Sequence, residues 1–293
     1  MNKITKSFVK KNYPLRTADS HKNLNGRVLI AAGSRNMPGA AILAATACYR
    51  AGAGLVTLAV PACIASLCAQ AVPEAIILQL EDSNGCLNKK SLKPLLSYLK
   101  QMPHDLLLIG PGMGGGAKIT ADLLAKTNLP AVIDADALNF LAEHGPQKLN
   151  KNIPYILTPH EGEIKRLLNK KTINPPTAAQ ELFKLTGAVS LLKGPQTKVC
   201  FDDITYANTT GNEGLAKAGS GDTLAGITAA IFAQLLKRKD SKTEKQKAFT
   251  AACLGVFIHG AAADDAVKEY GKISLMASDV CAQLPYTIKE ILG

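Results

Sequence analysis

The sequence predicts an α/β fold, a single domain built on a mainly parallel central sheet with helices on both faces. Three observations carry that prediction. From residue 28 onward, short apolar runs of strand length alternate with longer Ala- and Leu-rich stretches, and repeated strand–turn–helix units imply βαβ crossovers. Hydrophobic residues make up 47% of the 293, aromatics are few and Trp is absent, which suits small-residue helices packed on a sheet. No repeat, low-complexity tract or linker-like break divides the chain, so residues 1–293 read as one domain. A fold of that size buries roughly three quarters of its unfolded surface and needs no staples.

The runs 28–32, 55–60, 105–109, 131–134, 155–157 and 189–192 read as buried strands closed by Gly- or Pro-marked turns, and 39–50 and 117–126 as helices following such turns. Residues 197–206 look like a hairpin instead, two β-rich runs around Asp202-Asp203. Long helical stretches follow at 221–237, 244–268 and 278–292. In a parallel sheet, ligands bind beyond the carboxyl ends of the strands. The unusual residues fall there: 33–39, 110–116, Asp134-Ala135-Asp136, Thr158-Pro159-His160-Glu161 and Lys193-Gly194. These segments are expected to converge on one rim.

Bulk properties narrow the function classes. The seven Cys are scattered and never spaced Cys-x-x-Cys, which argues for reduced thiols in a cytoplasmic protein rather than a disulfide framework or zinc site. Residues 1–25 are basic and polar with no apolar core, unlike a signal peptide, and no run of about 18 apolar residues predicts a membrane span. The net charge of +11 is spread over the whole length, and the densest run, 237–247, contains Asp240 and Glu244. No basic helix interleaved with aromatics emerges, so nucleic acid is not the expected partner. Attraction of small anionic substrates is the simpler use of the charge.

The strongest motif runs from Gly211 to Thr223 and ends Ala218-Gly219-Ser220-Gly221-Asp222. Small residues let the backbone N–H groups of Gly219, Ser220 and Gly221 approach an anion, and the helix beginning there turns its positive end to the same spot. Asp222 adds negative charge where a phosphate should sit. A carboxylate in a first turn also has a plain explanation, stabilisation of the helix dipole. With this Gly- and Ala-rich approach, Asp222 makes better sense as a general base toward a hydroxyl that attacks a phosphoryl group.

Other segments are less specific. Gly110, Gly112 and Gly115 fit a Gly-x-Gly-x-x-Gly spacing after a strand, with Asp134 and Asp136 at ribose distance, but Pro111 interrupts the pattern. Close approach of the loop backbone to a ligand is the expectation there. Thr158, Pro159 and Glu161 suit the N-cap, N1 and N3 positions of a capping box, which leaves His160 free for a substrate contact. Lys193 ends a strand between the rim and the anion site. Pro38 opens a helix whose small residues Gly39, Ala40 and Ala41 would let a flat ligand lie against it.

Taken together these segments resemble the ADP-dependent NAD(P)H-hydrate dehydratases, a branch of the ribokinase-like superfamily. The resemblance rests on residues 26–34, Met37-Pro38-Gly39-Ala40-Ala41, Gly110-Pro111-Gly112, Asp134-Ala135-Asp136-Ala137-Leu138-Asn139, residues 157–163, Leu192-Lys193-Gly194 and residues 211–222, in family order over almost the whole chain. It implies cofactor repair: removal of water from hydrated NADH or NADPH, coupled to hydrolysis of ADP (or ATP) with Mg²⁺, in a homo-oligomer, commonly a tetramer. It also implies that Ala40, Gly112, His160 and Asp222 contact the hydrate, and that Lys193, Gly194, Pro195, Gln196, Thr197 and Gly221 contact the adenine nucleotide. Metal ligands are not indicated. The epimerase domain of some relatives has no counterpart among these motifs, so a separate epimerase is expected. Two positions depart from the family pattern, Asn23 and Ala218, each where Gly is expected.

Two other classes share parts of this pattern. A ribokinase-like kinase of a vitamin precursor or sugar would use Asp222 in the same way and release a stable phosphorylated product. An NAD-dependent oxidoreductase built on Gly110, Gly112 and Gly115 would show hydride transfer. A non-catalytic nucleotide sensor would have no use for Asp222.

Overall fold

Ten strands form one sheet whose order places the predicted rim along a single edge. In the computed structural model, which describes residues 1–293, the strands are β1 (Asn2–Lys3), β2 (Arg27–Ala31), β3 (Leu55–Pro61), β4 (Ile76–Leu80), β5 (Asp82–Ser83), β6 (Cys86–Leu87), β7 (Leu106–Ile109), β8 (Ala131–Ile133), β9 (Tyr155–Leu157), β10 (Val189–Leu192), β11 (Lys198–Phe201) and β12 (Ile204–Ala207). The small β5–β6 ribbon stands apart, and the main sheet runs β1-β12-β11-β10-β9-β8-β7-β2-β3-β4. Only β11 runs against its neighbours.

The central strands β2, β3, β7, β8, β9 and β10 are predominantly apolar because both faces are covered. Along β2, Val28 and Ile30 enter one core while Leu29 and Ala31 enter the other, and β7 divides in the same way between Leu106/Leu108 and Leu107/Ile109. Helix Ser220–Leu236 lies on the sheet flanked by the helices Pro38–Arg50 and Glu244–Ser274, which also pack on it, and every residue from Thr223 to Leu235 is buried. It is apolar all round for that reason.

All six expected strands and the 197–206 hairpin form, with ends displaced by a residue or so. The expected helix over 117–126 begins later, at Thr120–Thr127, after a 3-10 turn at Gly114–Ile119. The expected helix over 244–268 continues to Ser274, with a break at Gly271 (φ 69°, ψ 161°). Two sheet members were not expected. β1 has only two residues and therefore no periodicity to read; it forms by pairing Asn2 with Tyr206 and Lys3 with Ala207. β4 is the opposite edge, and its Ile-Ile-Leu-Gln-Leu run follows Pro73-Glu74 without a glycine turn.

Because β2, β7, β8, β9, β10 and β12 are parallel, their carboxyl ends share one edge. The segments 33–39, 110–116, 134–136, 158–163, 193–197 and 208–222 all emerge there. No helix of the fold is long and apolar enough to cross a membrane.

Candidate active site

Asp222 lies in the first turn of helix Ser220–Leu236, which starts from Gly219 in the left-handed region at φ 88°. A side chain at Gly219 would press on Leu43 and Ala277, so glycine is required both for the turn and for the space. No side chain caps this helix, and the N–H groups of Gly221 and Asp222 find no backbone acceptor. Such unsatisfied donors at a helix start form an anion site. Burial, then the negative charges of Asp134 and Asp136, push the Asp222 carboxyl up to about 7 against the opposing pull of Lys193. A carboxylate serving only the helix dipole would be favoured in its charged form. Here the charged form is disfavoured, the condition of a base that holds a proton near neutral pH.

Lys193, the nearby cation, forms no ion pair with Asp222 because it is engaged elsewhere. Its backbone N–H donates to Pro159 O at 2.8 Å, tying the β10 end to the loop after β9. Its ammonium sits 2.8 Å from Asp134 Oδ1 and 3.8 Å from Glu163 Oε2. The side chains of Asp134 and Glu163 are only 2% and 5% exposed, so Lys193 is their buried counter-ion. Burial opposes the ammonium, but Asp134 and Glu163 outweigh it and its pKa ends above the ordinary value. The ammonium lies beside the cradle: a Cβ at Gly221 would be in van der Waals contact with Lys193 Nζ, at 3.4 Å. Behind the cradle is His259, buried, with Nε2 3.4 Å from Ser220 Oγ. Burial, and then the Lys193 charge, push His259 down to about 4, so it is neutral.

The capping expectation at Thr158 is corrected. The N-cap of helix Glu161–Leu167 is His160, whose Nδ1 accepts from the N–H groups of Gly162 (2.9 Å) and Glu163 (3.3 Å). The reciprocal partner is Glu163, which accepts from the His160 N–H at 2.7 Å, rather than Glu161. Thr158 instead donates its hydroxyl to Asp134 Oδ1 at 2.7 Å. His160 is therefore bound into the fold through Nδ1, while its half-exposed ring keeps Nε2 at the rim, 3.5 Å from Glu163 Oε1.

In the glycine loop after β7, Gly110 and Gly112 make close approaches to the protein itself. A side chain at Gly110 would overlap the Asp134 carbonyl, and one at Gly112 (φ 60°) would meet Ala40 Cβ at 2.6 Å and Met37 Cβ at 3.0 Å. Asp136 accepts the Gly114 N–H at 2.7 Å, so it fastens this loop and does not present itself to a ribose. The same contact brings Ala40 and Gly112 together beside the start of helix Pro38–Arg50, as one patch of the rim.

Residues Gly194, Pro195, Gln196 and Thr197 form an exposed turn closed by Thr197 Oγ1 donating to Gly194 O at 3.0 Å. The Asn208 N–H reaches back to Thr197 O at 2.9 Å. Between this turn and the chain after β12 lies a cavity of about 340 Å³, lined by Lys3, Gln196, Asn208, Thr209 and Thr210 among others. Asp264 holds its far side, accepting from the Gly211 N–H and the Asn212 side chain, each at 2.8 Å. Sequence reasoning assigned no role to Lys3, Asn208, Thr209, Thr210, Glu163, His259 or Asp264. Only 208–211 carried a signal, its position between a strand and the anion motif.

At the two departures nothing demands glycine. Ala218 is exposed with no positive φ, and Asn23 sits in a short 3-10 turn at Lys22–Leu24. No group of three or more His, Cys, Asp or Glu side chains could hold a metal ion by itself. An Mg²⁺ carried on nucleotide phosphates would need no such cluster, since Mg²⁺ is usually held by one or two carboxylates together with substrate phosphates.

The family model of NAD(P)H-hydrate dehydratase matches residues 28–285. A bifunctional NAD(P)H-hydrate repair enzyme Nnr of Moorella thermoacetica is 39% identical over 98% of this chain and 54% of its own length. The chain thus spans about half the length of such bifunctional relatives. An ADP-dependent (S)-NAD(P)H-hydrate dehydratase of Lactiplantibacillus plantarum is 34% identical over 90% of this chain and 89% of its own. Among solved structures, an ADP/ATP-dependent NAD(P)H-hydrate dehydratase from Bacillus subtilis, co-crystallised with ATP and Mg²⁺, superposes with a TM-score of 0.78 at 28% identity, covering 99% of this chain and 98% of that one.

Proposed function

The chain belongs to the NAD(P)H-hydrate dehydratase family, and on that premise we propose that it dehydrates the S form of hydrated NADH and NADPH at the expense of ADP, releasing AMP and phosphate. The observation that supports this most is Asp222: a carboxyl without a counter-ion, pushed up to about 7, beside open N–H donors at a helix start.

In this reading the hydrate rests on the Ala40–Gly112 patch with His160 at its edge, its hydroxyl toward Asp222. The nucleotide lies over residues 193–197 and the adjoining cavity, its terminal phosphoryl at Gly219, Ser220 and Gly221. Asp222 takes the hydroxyl proton as the oxygen attacks that phosphoryl group, and AMP leaves. The N–H groups of Gly221 and Asp222, with the Lys193 ammonium, face the charge that develops on the transferred group. The phosphate ester leaves more readily than hydroxide. The ring nitrogen's lone pair expels it, and loss of a proton from the adjacent ring carbon restores the double bond. Mg²⁺ on the nucleotide would lower the charge of the phosphates.

The test is to incubate the protein, Mg²⁺ and hydrated NADH with ADP, with ATP or with neither, following NADH absorbance and phosphate release. One NADH per phosphate, dependent on nucleotide, is the expected result. Full recovery without nucleotide would sink the proposal, and a stable phosphorylated hydrate would favour a kinase that stops after transfer.

A further inference from the structure

Asp134 is a nearly inaccessible carboxylate to which the reaction above gives no task. Both partners of its Oδ1 are fixed: the Lys193 ammonium at 2.8 Å and the Thr158 hydroxyl at 2.7 Å. Its Oδ2 accepts no hydrogen bond within the protein and faces the start of the helix that bears Asp222, 4.0 Å from where a side chain on Gly221 would begin. Lys193 therefore stands between two carboxylates that compete for one ammonium, and the geometry gives it to Asp134, with Glu163 in support.

We infer that Asp134 is a positioning residue for the phosphoryl-transfer step: by holding the Lys193 ammonium beside Gly221, it keeps Asp222 free of a counter-ion and able to accept the hydroxyl proton. An ion-paired carboxylate is a poorer base, because the partner stabilises the charge that proton uptake would remove. The charged groups that reach Asp222 are Asp134, Lys193 and Asp136, with Glu163 behind Lys193 and His259 uncharged. Among these neighbours Asp134 has the largest influence on Asp222 and Lys193 the next, in opposite directions. Thr158 serves the same end, since its hydroxyl fixes the oxygen that Lys193 uses.

This inference rests on Asp222 being the base, and the pH profile of kcat/KM for hydrated NADH separates the two claims. Wild type should show an acid limb near pH 7; a profile flat through neutral pH would refute the reading of Asp222 and leave nothing for Asp134 to position. In Asp134→Asn the ammonium turns to Asp222, so the limb should move to lower pH by about one unit or more while kcat falls at least about tenfold. Asp134→Glu keeps the charge, and its limb should stay close to wild type. Adding Lys193→Met to Asp134→Asn removes the ammonium that would turn, so the limb of the double variant should return close to wild type; this variant also serves where Asp134→Asn alone does not fold. A wild-type limb in Asp134→Asn overturns the inference, as does a double-variant limb lowered by about one unit or more, or an Asp134→Glu limb displaced as far as the Asn one.

Discussion

Replacing Asp222 by Asn should abolish turnover and stabilise the protein at the same time, and the two effects have one cause. In the unfolded chain this carboxyl titrates at its ordinary value of 3.8; in the fold it is pushed up to about 7, chiefly by burial and by Asp134. Between those values the unfolded chain has released the proton and the folded chain has kept it. The unfolded state thus binds fewer protons, and stability declines as pH rises through the window. Three units at 1.36 kcal/mol each set an upper limit of about 4 kcal/mol. Partial solvent access and the neighbouring titrations reduce this to about 1–3 kcal/mol. Asn carries no charge, so the variant should match wild type near pH 4 and exceed it at pH 8, by about 2–4 °C in Tm for each kcal/mol. Turnover at pH 8 should fall by about 10²–10⁴-fold, the usual loss for a general base. If Asp222 served only the helix dipole, Asn would cost about 0.3–1 kcal/mol and leave turnover intact. The two accounts predict stability changes of opposite sign. Paired melts at pH 4 and 8 beside a turnover assay decide between them, and a lower Tm at pH 8 with activity retained would refute the reasoning.

Two further substitutions test the rim. His160→Ala removes the acceptor for two helix N–H groups and should cost about 1 kcal/mol as well as raise KM for the hydrate, whereas His160→Asn, itself a good N-cap, should restore Tm but not KM. Unchanged KM in both variants would confine His160 to structure. Gly112→Ala forces a Cβ to within 2.6 Å of Ala40 at φ 60° and should lower Tm by several degrees while impairing hydrate use more than ADP binding; a stable, fully active variant would remove this patch from the site.

Periodicity and turn chemistry sufficed for the strands that are buried on both faces, because those are continuous apolar runs between glycines and prolines. They failed where structure comes from pairing alone, as in two-residue β1, or at an edge such as β4, where exposure dilutes the pattern. The site divides in the same way. Asp222 was legible because Gly219, Ser220 and Gly221 precede it immediately in the chain. Its counterpart in space was not, since Asp134 and Lys193 lie 59 residues apart and meet only once β8, β9 and β10 align. The misplaced cap shows the limit of local rules. Thr158 and His160 are both chemically able to cap the helix, and the choice fell to His160 because Thr158 was already committed to Asp134. That preference is tertiary, and no window of sequence around residue 160 contains it.

The distribution of charge links these observations. The chain carries a net +11, yet four of the carboxylates nearest the cradle, Asp134, Asp136, Glu163 and Asp222, share a single close ammonium. A cationic cradle would bind nucleotide phosphates more strongly, but it would also hold Asp222 in its charged form and weaken it as a base. The fold separates the two requirements by distance. Positive charge spread over the surface acts at long range and raises the local concentration of anionic ligands. Inside, open backbone N–H groups supply attraction for a phosphate without a full positive charge paired to the base. Lys193, the close cation, stands beside Gly221 with its ammonium engaged by Asp134 and Glu163. On this account raising the salt concentration should weaken nucleotide association while leaving the position of the acid limb in place, because the surface charges are screened and the buried pair is not.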